Sequence, residues 1–106
     1  MKKGDIVLVP FPFTDLSTTK NRPALVLVSE NEDVTLAFIT TRIHWMKDWD
    51  LHLEPTEQNG LKKRSIVRLS KITTLEKQLV LGRLGSISKS KQEQLHENLK
   101  LLFDIE

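Results

Sequence analysis

Short apolar runs of strand length dominate this chain as far as Gly85, and the period then turns helical. Val7–Val9 reads as a first strand, ending at Pro10 and Pro12. Residues 11–21 are a loop of Phe, Thr, Asp, Ser and Lys. Arg22 to Ser29 is almost wholly apolar after its first residue, as in a strand covered on both faces. Glu30-Asn31-Glu32-Asp33 is turn chemistry, and Val34 to Thr40 alternates as the return strand of a hairpin. Residues 41–62 form a long, loosely patterned connection holding a possible short strand, Asp50 to Glu54, with turn residues from Pro55 to Gly60. Ser65 to Leu69 is a strand, Ile72 to Lys77 is compatible with one helical turn, and Gln78 to Gly85 reads as the last strand. Ser88 or Ser90 is a candidate N-cap, and Ser90 with Glu93 has capping-box spacing. Leu95, Leu99 and Leu102 then repeat at helical spacing, which predicts one amphipathic helix over about residues 89–103. The expected package is five or six mostly antiparallel strands in a small β-barrel, with the C-terminal helix covering one face.

The length of 106 residues fits one domain, residues 1–106, with a core of its own and a large surface relative to its volume. The absence of cysteine excludes disulfides, thiol chemistry and Cys-rich zinc sites, and fits a reducing, cytoplasmic setting. The apolar run Ile6–Val9 is too short for a signal-peptide core, and no stretch reaches membrane-span length, so no membrane contact is expected. No motif calls for a cofactor, and no His/Asp cluster has metal-ligand spacing. The net charge of +2 changes the picture little. The placement of Lys20, Arg22, Arg42, Lys62, Lys63, Arg64, Arg68 and Lys71 in or beside loops and strand ends says more, because it suits an anionic partner.

Among these cations Arg22 stands out. It follows a polar loop and precedes Pro23, which restrains its backbone toward extended geometry. A guanidinium fixed at a strand start suits a phosphate; it equally suits a surface ion pair with Asp15 or Asp5. Thr40 and Thr41 end a strand, where a hydroxyl can hydrogen-bond a phosphate oxygen, although threonine is also a common strand residue. Phe11 and Phe13 can stack on bases or pack into the barrel. Trp45 and Trp49 can stack on bases or anchor their loop, and anchoring is the first expectation. His44 and His52 flank that loop, and His96 lies on the helix as a surface residue.

Three segments in order resemble the MazF/PemK (Kid-like) toxin endoribonucleases. They are Gly4-Asp5-Ile6 followed by Arg22-Pro23-Ala24-Leu25-Val26, then Phe38-Ile39-Thr40-Thr41, then Ser65 to Lys77 with Leu84-Gly85-Ser86-Ile87. The resemblance implies an SH3-like small barrel with a C-terminal helix. It also implies a type II toxin cleaving single-stranded RNA, specifically and without a metal, by attack of the 2′-hydroxyl on the adjacent phosphate. The products would be a 2′,3′-cyclic phosphate and a 5′-hydroxyl. Arg22 then matches the main catalytic residue, stabilising or protonating, and Thr40 its partner, positioning the phosphate. Phe13, Asp15, Lys20, Thr41, Arg42, Ser70 and Lys71 are the accompanying RNA-contact candidates. The implied partners are the RNA substrate, a cognate antitoxin, a second copy in a homodimer, and operator DNA through the antitoxin alone.

The chain departs from the family pattern at Ser70-Lys71-Ile72-Thr73, where many members carry an acid and, further on, an Arg, and in its Pro12-Phe13-Thr14-Asp15-Leu16-Ser17 loop. Two alternatives remain: a gyrase poison of the CcdB type on the same fold, or an RNA-binding module without catalysis. The ending Leu102-Phe103-Asp104-Ile105-Glu106 lacks the Trp-Gly-Ile of the gyrase poisons.

Overall fold

The alternating segments become six strands: β1 (Asp5–Pro12), β2 (Thr19–Ser29), β3 (Asp33–Thr40), β4 (Leu51–Leu53), β5 (Ser65–Glu76) and β6 (Gly82–Ser86). The helical period becomes one helix, α1 (Lys89–Phe103). The computed structural model describes residues 1–12 and 19–106, without the side chains of Phe11, Pro12 and Thr19. All strands pair antiparallel in the order β4-β5-β3-β2-β1-β6, a sheet curled into a half-barrel. The expected mainly β fold with a C-terminal helix is therefore what forms.

Strand alternation sorts the apolar residues onto two faces. Ile6, Leu25, Leu27, Ala37, Ile39, Leu51, Leu53, Val67 and Leu69 share one cluster with Ile87 and Leu95. This is the face that α1 covers, with Leu99 and Leu102 packed against it. Val7, Val9, Ala24, Val26, Val34 and Leu36 form a second cluster on the other face, bordered by Phe38, Leu75 and Val80. The double-sided burial expected for β2 arises from its place inside the sheet with an apolar layer on each side.

The helix is capped as its sequence allows. Ser88, not Ser90, is the N-cap, its hydroxyl accepting from the Lys91 N–H at 3.3 Å. Asp104 closes the other end in the left-handed region, and the Ile105 N–H donates to the Lys100 carbonyl at 2.9 Å. Ser88→Ala is expected to cost about 1 kcal/mol, roughly 5 °C in a thermal melt. Ser90→Ala should leave the melt nearly unchanged.

Three expectations are corrected. Ile72 to Lys77 is no helical turn: β5 runs unbroken to Glu76, and only Lys77–Leu79 makes a single 3-10 turn. Ile72, Thr73 and Thr74 are β-branched and gain partners on β3, including a Thr35–Thr74 hydroxyl contact of 2.9 Å. The last strand starts at Gly82 rather than Gln78. The first loop is also shorter than residues 11–21, because β1 and β2 stay paired as far as Pro12 and Thr19. Gly85 lies against the backbone of Gln58 and Asn59, leaving no room there for a Cβ.

Candidate functional site

The site begins where two strands part. β2 and β3 pair from Ser29↔Val34 down to Ala24↔Phe38 and no further. Pro23 comes next; it has no N–H to offer a partner, and its ring restrains Arg22 toward extended backbone. Arg22 stands two residues beyond Ala24 on β2, and Thr40 two residues beyond Phe38 on β3. The period of two puts both on the face of Ala24 and Phe38, opposite each other across the splayed end. Both line an open cavity of about 480 Å³ with Phe38 and Ile39 in its walls.

A break in a second ladder supplies more cations. Phe38 pairs with Arg68 on β5, but Ala37 pairs with Ile72, so Leu69, Ser70 and Lys71 are extra residues on the β5 side. Such a bulge re-aims side chains. Here Arg68 and Lys71 both line the cavity, while Ser70 is exposed outside it. Leu69 stands in neither ladder of β5: the β3 pairing skips it, and β4 ends at Leu51, opposite Val67. The carboxylate of Asp50, 1% exposed, accepts the Leu69 N–H through Oδ1 at 3.0 Å and the Lys47 N–H through Oδ2 at 2.9 Å. Asn98 on α1 donates to the Asp50 carbonyl at 3.2 Å. One buried acid thus ties the bulge and the 41–50 connection together, with the helix bonded to its backbone.

That connection carries the last wall of the cavity. Trp49 packs against the core, as expected for an anchor. Trp45 does not: it is 42% exposed and lines the cavity instead. The Arg42 and Arg68 guanidinium carbons lie 5.0 and 5.4 Å from its ring centroid. Both tryptophans were expected as anchors; the structure divides the roles, because the one-turn segment Ile43–Trp45 rides on an exposed run.

The described lining therefore holds four cations, Arg22, Arg42, Arg68 and Lys71, and no carboxylate. Thr40 adds a hydroxyl whose oxygen accepts the Arg42 N–H at 3.2 Å, leaving its own proton to donate. Such a wall attracts an anion with several oxygens. Among the expected residues, Arg22, Thr40, Arg42 and Lys71 come together here. Lys20 and Thr41 are exposed and do not line the cavity. Phe13, Asp15 and the side chain of Phe11 lie outside the described residues. Asp5, one suggested partner for Arg22, is buried on β1 and bridged instead to Arg83 at 3.3 Å. Within the run Lys62-Lys63-Arg64, Arg64 pairs with Glu54 at 3.0 Å. His44 and His96 are exposed and His52 half-buried on β4; none of them lines the cavity. Among the described residues, no group of three or more His, Cys, Asp or Glu is placed to hold a metal ion, and no helix is long and apolar enough to cross a membrane.

Sequence reasoning undervalued Arg68 and Phe38. The signal for Arg68 was present: it is the one charged residue inside the apolar run Ile66-Val67-Arg68-Leu69. A single polar position within a buried strand marks the side that meets a groove.

A family model for PemK-like, MazF-like toxins of type II toxin–antitoxin systems matches residues 2–103. No curated protein sequence matches the chain. Among solved structures, Mycobacterium tuberculosis toxin MazF-mt6 superposes with a TM-score of 0.77 at 23% identity, over 96% of this chain and 98% of that one. A mycobacterial endoribonuclease in complex with its cognate antitoxin gives 0.76 at 14% identity, over 100% and 95%. MazE-MazF (Form-III) from Deinococcus radiodurans gives 0.74 at 15% identity, over 100% and 98%.

Proposed function

The chain belongs to the PemK-like, MazF-like toxin family of type II toxin–antitoxin systems, and from that premise we propose that it is an endoribonuclease whose cation-lined cavity holds the scissile phosphate of single-stranded RNA. The observation that carries this reading is that Arg22 and Thr40 line one cavity beyond the splayed end of β2 and β3, with four cations and no carboxylate among its described lining.

The chemistry rests on that charge. In the proposed step the RNA 2′-oxygen forms a bond to the adjacent phosphorus while the bond from phosphorus to the 5′-oxygen breaks. One proton leaves the 2′-hydroxyl and one reaches the departing 5′-oxygen, which leaves a 2′,3′-cyclic phosphate and a 5′-hydroxyl. Charge builds on the phosphate oxygens in the transition state, and fixed cations in a partly desolvated groove stabilise it most where it is greatest. Arg22, half-buried and backed by Pro23, takes that role and faces the leaving oxygen. Thr40 donates its hydroxyl proton to a non-bridging oxygen, and Arg42, Arg68 and Lys71 hold the flanking backbone. Lys20 and Thr41 extend this RNA track outside the cavity. The step takes its charge stabilisation from guanidinium groups, so it is expected to proceed in EDTA.

The partners in this reading are a second copy of the chain and a cognate antitoxin, with operator DNA reached through the antitoxin, all in the cytoplasm. Two of the similar structures are described with an antitoxin or as MazE-MazF, which supports that partner class. An acidic antitoxin segment would suit the same cations.

The test is incubation with a long mixed-sequence RNA in EDTA, with cleavage positions mapped by primer extension. Cuts recurring at one short sequence are expected. RNA left intact across varied sequences would overturn the assignment in favour of a non-catalytic toxin or binding module.

A further inference from the structure

We propose that Trp45 is a base-stacking platform, so that the site reads one unpaired base beside the phosphate held by Arg22 and Thr40; this rests on the nucleic-acid reading of the cavity. The chain has two tryptophans four residues apart. Trp49 is used for packing. Trp45 is spared from it and left 42% exposed at the wall of a cationic cavity. A large aromatic in that position loses nothing to the core, and a base stacks on it by taking the place of a guanidinium that lies over the ring in the free protein.

Its orientation is fixed before any ligand arrives. Guanidinium carbons of Arg42 and Arg68 lie 5.0 and 5.4 Å from the ring centroid. The His44 ring meets it edge-on at 5.6 Å and 62°. The segment bearing it is closed by N–H donation from Trp45 to the Arg42 carbonyl and from Met46 to the Ile43 carbonyl, both 3.1 Å. Downstream, Asp50 pins the same connection to β5. A ring held this way lowers the ordering cost of stacking.

The two guanidiniums matter chemically as well. Each can reach a phosphate while lying near the indole, so the wall couples a backbone contact to a ring contact within one nucleotide's reach. A base inside a duplex already has neighbours on both faces, whereas an unpaired base can leave its stack. The platform therefore favours an unpaired base over a duplex, whichever base it is.

The competing role for Trp45 is as a brace that only holds Arg42 and Arg68 in place. The two roles differ toward a backbone without bases. The probe is a random-sequence 2′-O-methyl oligonucleotide, which cannot be cleaved, titrated beside the same backbone carrying abasic sites. Wild type should bind the intact oligomer with quenching of indole fluorescence. Trp45→Phe, whose one indole is Trp49, should bind nearly as well but lose the quench. Trp45→Ala should bind about tenfold or more weakly, and should lose little on the abasic backbone. Thermal melts of both variants establish folding, which an exposed position favours. Equal losses by Trp45→Ala on intact and abasic oligomers would overturn the platform in favour of the brace. Quenching by polyglutamate but not by the oligonucleotide would overturn it in favour of an acidic peptide. Specific RNA cleavage by wild type with unchanged binding in Trp45→Ala would remove this inference alone. An oligonucleotide that fails to bind wild type would remove it together with the nucleic-acid reading.

Discussion

Replacing Arg22 by alanine is expected to lower single-turnover RNA cleavage by on the order of a hundredfold to a thousandfold while leaving the protein folded. The range is that of removing one preorganised donor from a site where anionic charge develops. Arg22 is well placed for such an effect because its backbone is held from both sides. It pairs with Val9 on β1 and is followed by Pro23, itself opposite Leu8. Arg22→Lys should recover only part of the loss. An ammonium keeps the charge but lacks the planar fork that addresses two phosphate oxygens at once. Binding of uncleavable RNA should fall far less in either variant, since at least three cations remain in the lining. A large loss of binding with an unchanged cleavage step would make Arg22 an affinity residue and sink its catalytic role.

The largest expected effect on stability belongs to a residue with no place in the chemistry. Asp50→Ala removes the acceptor of two backbone N–H groups, those of Leu69 and Lys47. The first is buried and lies in neither ladder of β5, since β4 ends at Leu51, opposite Val67, and the β3 pairing skips Leu69. Leaving a buried N–H unsatisfied costs about 1–3 kcal/mol and the part-buried one about 1 more, so the variant should lose about 2–4 kcal/mol. For a chain of this size that is on the order of 15 °C in a thermal melt. Asp50→Asn keeps one acceptor oxygen and should lose less. The damage should also reach the cavity, since Leu69 adjoins Arg68 and lies in the bulge that aims Lys71. RNA affinity of Asp50→Ala, measured well below its melting point, is expected to drop as well. A melt within about 3 °C of wild type would show that the bulge finds its hydrogen bond elsewhere.

The helix and most strands are legible in the sequence, because each carries one period and a chemical stop. Leu95, Leu99 and Leu102 at helical spacing after a serine cap define α1, and Arg22 to Ser29 could be read as an interior strand. Arg22 itself was visible through Pro23. What was hidden depends on pairing. That Arg22 and Thr40 stand opposite is set by the register Ala24↔Phe38, and no local pattern encodes a register. The bulge at Leu69 to Lys71 was hidden for the same reason, and it disguised the second half of β5. With the strand apparently ended at Leu69, the polar stretch after Ile72 resembled a turn of helix, although its β-branched residues favoured a strand. Asp50 read as one end of a short polar-flanked strand; its burial and its bond to the Leu69 N–H exist only once β4 is paired beside β5. Trp45 and Trp49 share a residue type and a loop, so only packing against the core tells them apart.

At the centre of the proposed chemistry the RNA cleaves itself through its own 2′-hydroxyl while the protein's cations carry the charge. Once a preferred sequence is mapped, two short oligoribonucleotides of that sequence differ by a single atom: one is all-ribose, the other has hydrogen in place of the 2′-hydroxyl on the nucleotide preceding the cut. The first should be cleaved in EDTA to a 2′,3′-cyclic phosphate and a 5′-hydroxyl, and the second should bind but stay intact. Cleavage of the deoxy substrate, or a product ending in a 5′-phosphate, would mean that water attacks the phosphorus and would contradict a reaction driven by the 2′-hydroxyl.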